Sequence, residues 1–113
     1  MGTIRTGVSV DRWSGTDPPT ALELERQLRA EGLRPYRTCD PPGTSHPPRS
    51  HASHEVRWLI SGKLWVKLDG NEEAIVLSPG DRLDLPPGLM HTIMVQGDEP
   101  AVLVAAAEGE AVH

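Results

Sequence analysis

From residue 55 onward, apolar and polar positions alternate with a period of two in short runs. Val56, Trp58 and Ile60 interleave with Glu55, Arg57 and Leu59. Leu64, Val66 and Leu68 interleave with Trp65 and Lys67, and Leu83 and Leu85 with Arg82 and Asp84. Successive side chains of extended chain point to opposite faces, so each run reads as a strand with one face turned to a core. Ser61-Gly62, Asp69-Gly70, Ser78-Pro79-Gly80-Asp81, Pro86-Pro87-Gly88 and Gln96-Gly97-Asp98-Glu99-Pro100 punctuate the runs. Asp69-Gly70 is the strongest hairpin signal, with Ala74 to Leu77 returning as the partner strand. Ile93 and Val95 share the parity of His91 on the next strand, and 101–107 is the last. Strands about every ten residues, joined by tight turns and unbroken by helices, predict an all-β antiparallel sandwich or barrel.

The first half of the chain has a different rhythm. Ile4, Val8 and Val10 suit a short strand in an N-terminal arm, residues 1–19, closed by Asp17-Pro18-Pro19. Such an arm would cover a sheet edge or reach a second subunit. One helix is predicted next. Thr20 is a good N-cap with Glu23 three residues on, and Gly32 supplies the stop. Leu24 and Leu28 lie one turn apart with Ala21 on the same side, while Glu25 and Arg29 have the spacing of an outer-face pair. The prolines at 41, 42, 47 and 48 make 38–50 read as a loop. The organisation expected is an arm (1–19), a helix and its connection packed on the barrel (20–37), the β-barrel (38–107) and a tail (108–113), where His113 is given no role.

A chain of 113 residues supports a single core. Its net charge of -5 and lack of any lysine or arginine block argue against a nucleic-acid partner. No apolar run approaches a membrane span, and the N-terminus lacks the pattern of a signal peptide, so a soluble, cytoplasmic protein is expected. Cys39 is the single cysteine. It excludes an internal disulfide, agrees with a reducing compartment, and reads as a loop thiol.

The chemistry concentrates in two short stretches. Gly80, Pro86, Pro87, Gly88 and His91 form one; Gly43, His51, Glu55 and Gly62 form the other. On extended chain His51 and Glu55 face the same way, and a closed sheet can bring His91 opposite them. Two imidazoles and a carboxylate are the ligand set of a facial metal site and suit Fe, Zn, Mn or Ni. Arg49 and Arg57 have the parity of Glu55, so both should project toward the cavity, where a guanidinium grips carboxylate or phosphate by its fork. The competing reading for each arginine is a salt bridge, to Glu55 or to a surface carboxylate. A direct Arg57–Glu55 pair would weaken metal binding and favour a metal-free site. His46 and His54 are secondary ligand candidates. His54, next to Glu55, should face outward.

The two stretches resemble the motifs of the cupin superfamily, over roughly residues 40–106. Gly80, Pro86, Gly88 and His91 fall in register with the second motif, with Val95 where the family usually has Asn. Gly43, His51, Glu55 and Gly62 match the first motif, with Arg49 in place of the first histidine of its His-x-His pair. The resemblance implies a jelly-roll barrel with His51, Glu55 and His91 as ligands of a divalent metal. It also implies a homodimer through the outward apolar set Val56, Trp58, Ile60 and Trp65, unless the helix covers that face. Two functional classes stay open. One is a metal-dependent enzyme on a small, anionic metabolite, such as an oxygenase, isomerase or decarboxylase, with Arg49 as substrate anchor. The other is a non-catalytic binding or sensor domain, with or without metal.

Overall fold

The computed structural model describes residues 7–107. Ile4 of the arm and the tail with His113 lie outside them. Nine strands and one helix follow in the order β1 (Ser9–Asp11), α1 (Ala21–Ala30), β2 (Tyr36–Asp40), β3 (Ser45–Arg49), β4 (Glu55–Ser61), β5 (Lys63–Leu68), β6 (Ile75–Leu77), β7 (Arg82–Leu85), β8 (His91–Gln96) and β9 (Ala101–Ala107). They form a five-stranded sheet, β1-β7-β4-β9-β2, and a four-stranded sheet, β3-β8-β5-β6, with every pairing antiparallel. The expected all-β antiparallel jelly roll is realised as two facing sheets. Its core between the sheets is built largely of leucine and valine: Leu59, Leu83, Leu85 and Leu103 from one sheet meet Leu64, Val66, Leu68, Leu77, Ile93 and Val95 from the other.

Period-two alternation holds through the second half. Along β4, Glu55, Arg57 and Leu59 are buried toward this core, while Val56, Trp58 and Ile60 belong to a second cluster with Leu24, Leu28, Leu33, Val104 and Ala106. The helix is therefore what covers the outer face of the large sheet. Trp65 does not share that cover, because β5 lies in the other sheet.

Local chemistry explains the helix. The Thr20 hydroxyl accepts from the Glu23 amide at 3.2 Å and the Glu23 carboxylate reaches back to Thr20, completing the capping box. At the far end Gly32 adopts φ +86°. The amides of Gly32 and Leu33 donate to Arg29 and Leu28 carbonyls at 3.0 and 2.9 Å, and buried Leu33 packs in the same cluster as Leu28, a Schellman stop.

Two forked ion pairs pin the helix across the sheet. Glu25 is buried and takes two bonds from Arg37 of β2, both 2.9 Å, so the Glu25–Arg29 pair expected on the outer face gives way to a tertiary one. Glu31 takes two bonds of 2.7 Å from Arg82 of β7, which also forks onto Asp84 and lies 5.0 Å over the Trp58 ring.

Residues 38–50 differ from the expected loop. Two edge strands, β2 and β3, occupy most of them. Pro47 and Pro48 are tolerated because β3 pairs on one side alone, and its register shifts between His46 and Arg49, where the prolines sit. Cys39 is exposed on β2. The arm pairs through β1 with β7 of its own chain. Behind it the buried Asp81 carboxylate accepts from the Trp13 amide at 2.8 Å and from Arg12 at 2.9 Å. Trp13 lies on Gly80, whose φ of +95° and lack of Cβ both serve this seat, since a methyl there would collide with the indole.

Arg82→Met is expected to destabilise the fold by about 2 kcal/mol in urea unfolding, because it leaves two carboxylates without their shared partner. The same pair carries a pH signature. The Arg82 fork, aided by Gln27, pulls Glu31 down to about 2 from an ordinary value of 4.5. A carboxylate depressed on folding stabilises the native state above its unfolded value, and that stability is lost as pH falls from 4.5 toward 2. With a third of the Glu31 side chain open to solvent, screening leaves about 1 kcal/mol of this effect. Arg82→Met should flatten the stability profile over that acid window.

Candidate metal centre

Three of the predicted residues meet inside the sandwich. The ligand atoms of His51, Glu55 and His91 all lie within 4.8 Å of one another. His51 Nε2 stands 3.2 Å from Glu55 Oε2, and His91 Nε2 stands 3.4 Å from Glu55 Oε1. The two imidazole rings are 5.8 Å apart, centroid to centroid.

Each ligand is placed by a different device. Glu55 opens β4 on its inward parity, between Leu85 of β7 and Ala107 of β9. His91 opens β8, inward with Ile93 and Val95, and is 2% exposed. His51 does not lie on a strand. It precedes a bend at 52–53 in the link from β3 to β4, and the Gly88 amide, at φ +77°, donates to its carbonyl at 2.8 Å. The same-face argument from extended chain therefore reached the right neighbour by the wrong route. A bend and a bond from the second motif bring His51 to Glu55.

The protonation pattern decides what this cluster can hold. His91 Nδ1 is 3.0 Å from the Leu89 carbonyl, which can only accept, so Nδ1 carries the proton and Nε2 presents a lone pair. Burial pushes the His91 imidazole below its usual value of 6.5, outweighing the opposing pull of Glu55, and keeps the ring neutral near pH 7. A lone pair then faces a carboxylate oxygen across 3.4 Å. Neither atom can donate. Both His51 Nε2 and His91 Nε2 are buried and lack a hydrogen-bond partner although they lie close to Glu55. Distance alone makes those contacts ion pairs; for His91, tautomer and geometry make the nitrogen an acceptor that converges with the carboxylate, and His51 Nε2 stands beside it at 3.2 Å without a hydrogen bond. Donors bound to one metal at roughly 2.1 Å lie about 3 to 3.5 Å apart when adjacent; the contacts of 3.2 and 3.4 Å, one to each Glu55 oxygen, fall in that range, and the three ligand atoms as a set lie within 4.8 Å. The residues fit a divalent cation.

The arginines separate. Arg57 is inward and buried, between Leu83 and Ala105 in register, and its Nη2 donates to Glu55 Oε2 at 3.2 Å. This is the salt bridge that competed with substrate binding in the sequence. Its Nε is buried with no partner. Arg49 is exposed, not enclosed in the cavity. After the register shift it stands opposite His91, so it shares that face of the sheet at its edge.

The secondary candidates lie elsewhere. His46 Nε2 is 3.3 Å from Asp40, and His54 Nε2 is 2.9 Å from Asp84 in the Arg82 network outside the sheet. Neither belongs to the three-residue cluster. Sequence reading missed the Leu89 carbonyl and the Gly88 amide, because main-chain groups leave no signal in residue type. A pocket of about 150 Å³ opens beside His91 between Pro48, Lys67, Leu68, Asp69, Gly70, Met90 and Thr92, and neither His51, Glu55 nor Arg57 lines it.

The cupin domain family matches residues 36–107. The chain belongs to the cupins. Solved structures similar to this cupin include KdgF from Halomonas sp., with a TM-score of 0.58 and 19% identity over 96% of this chain and 87% of that one. The DMSP lyase DddQ from Ruegeria pomeroyi gives 0.62 and 23%, over 72% of this chain and 40% of that one. The Cnp3 cupin domain of Schizosaccharomyces pombe gives 0.61 and 16%, over 66% and 54%. This cupin thus spans about half, or less, of the last two, and at these identities the likeness is one of fold. Comparison with curated proteins finds no match.

In metal-free protein, nitrogen-detected NMR should find His91 as the Nδ1–H tautomer at pH 7. Stability should fall as pH drops below 6.5, since an imidazole whose value is lowered by folding favours the native state only while neutral. An Nε2–H signal for His91 would contradict the ligand geometry.

Proposed function

We propose that this cupin binds a divalent metal through His51, Glu55 and His91 and uses the centre to take a small, anionic organic molecule. The observation that carries the reading is the buried His91 lone pair meeting the Glu55 carboxylate, with the buried, unpartnered Nε2 of His51 converging on the same group. Iron, zinc, manganese and nickel all accept such a donor set. A metal held there supplies Lewis acidity, or oxygen activation if iron, at positions left open by three protein ligands.

The chain's own groups would do the rest. Leu89, through its carbonyl, holds the His91 tautomer that ligates. Leu83, Leu85 and Leu103 wall the interior against water. Arg57 supplies an inward cation, and Arg49 a second at the edge beside His91. Whether the bound molecule is turned over or only sensed divides two versions of this reading. The DMSP lyase among the neighbours is an enzyme on the same fold, which supports the first version. The direct Arg57–Glu55 bond supports a second reading, a ligand-binding cupin that works without metal.

Metal analysis of protein purified without chelator separates the readings. The parent should carry close to one equivalent of metal, and His51→Ala and His91→Ala should each lose it while remaining folded by circular dichroism. Folded, metal-free parent protein that takes up no added divalent ion would favour the second reading. For the outer arginine, Arg49→Met should weaken binding of acidic ligands about tenfold and spare neutral ones. Equal loss for both classes would remove its charge-reading role.

A further inference from the structure

We propose that Arg57 couples metal to anion at this centre, so that a divalent cation and a small monocarboxylate each bind more tightly in the presence of the other; this rests on the metal-centre reading above. The Arg57 side chain is 10% exposed. It donates one bond, from Nη2 to Glu55 Oε2, while its Nε–H is buried without an acceptor. Its cross-strand neighbours are Leu83 and Ala105, which offer no second counter-charge. A guanidinium held this way is half satisfied. Leaving a buried donor unpaired is costly, and the cost is removed by any acceptor small enough to enter.

Charge sharpens the point. A divalent ion seated between His51, His91 and Glu55 must share the Glu55 carboxylate with Arg57, so one negative charge faces three positive ones. Such an excess in a buried site is unfavourable. Metal alone and Arg57 therefore compete for the same carboxylate. A monoanion with one oxygen toward the metal and one toward the Nε and Nη2 donors restores the balance and matches the planar fork.

Size follows from the register. The cross-strand neighbours of Arg57 and Glu55 on β9 are the small residues Ala105 and Ala107, while leucines at 83, 85 and 103 close the interior around them. The occupant is a carboxylate of one or two carbons, or the carboxylate end of a slightly longer acid. Because coupling free energy is reciprocal, metal must promote anion binding by the same factor that anion promotes metal binding.

Calorimetric titration of zinc into the metal-free protein, with acetate or with its neutral isostere acetamide at constant ionic strength, tests this. Acetate is expected to tighten zinc binding about tenfold and acetamide to leave it unchanged, with zinc tightening acetate by the same factor. In Arg57→Met, zinc without anion should bind more tightly than in the parent, and the acetate effect should vanish. Arg57→Lys, which keeps the charge without the fork, should retain a reduced effect, and it serves with the parent comparison if the Met variant fails to fold. Zinc that binds equally with acetate and acetamide overturns the coupling and leaves the metal centre standing, as does an acetate effect that survives in Arg57→Met. Zinc that does not bind the parent at all overturns the metal centre and the coupling with it.

Discussion

A buried carboxylate governs this molecule. Glu55 is 6% exposed and lies among two imidazoles and a guanidinium. An acid so placed is stable only with positive charge or donors around it, and among the described residues Arg57 is the permanently charged group in contact with it. The strand that carries both must keep a polar inner edge at one end and an apolar one at the other. β4 does so: Glu55 and Arg57 face the centre, and Leu59 returns to the hydrocarbon core.

The rest of the fold holds that strand still. β4 is central in the five-stranded sheet, paired with β7 on one side and β9 on the other. Its outer face, Val56 with Trp58 and Ile60, is sealed by the helix, and the helix is fixed at both flanks by Arg37–Glu25 and Arg82–Glu31. Burial on both faces leaves the strand little freedom to shift register, and a one-residue slip would put Glu55 under the helix. The two histidines depend on one another's segments. The turn before β8 gives Leu89 to orient His91 and Gly88 to hold His51, so a single tight turn sets the aim of both.

Membership of the cupin family fits this division of labour. The sandwich is shared with proteins of low identity, which reflects how many sequences can fill its leucine-rich interior. The polar end carries the chemistry: Arg49 is exposed at the rim, and Arg57 is buried against the Glu55 carboxylate. Three side chains that could hold a metal ion stand there with the Arg57 guanidinium in contact and Arg49 at the rim.

The sequence by itself determined the local structure. Alternation in 55–68 and 82–95, the Asp69-Gly70 turn, and the Thr20–Glu23 box with Gly32 are written in residues a few positions apart, where sterics and main-chain bonding act directly. The identity of His51, Glu55 and His91 as candidates was also legible, through residue type and the glycine and proline positions around them. Tertiary structure alone decided the rest. Chain closure split the strands into two sheets, so that Trp65 parted from Val56, Trp58 and Ile60; turned Pro47 and Pro48 into part of an edge strand; took Glu25 from Arg29 and gave it to Arg37; and joined Arg57 to Glu55 while leaving Arg49 at the rim. Each of those outcomes depends on which distant segment arrives alongside, and a main-chain carbonyl or amide such as those of Leu89 and Gly88 acquires its role only when it does.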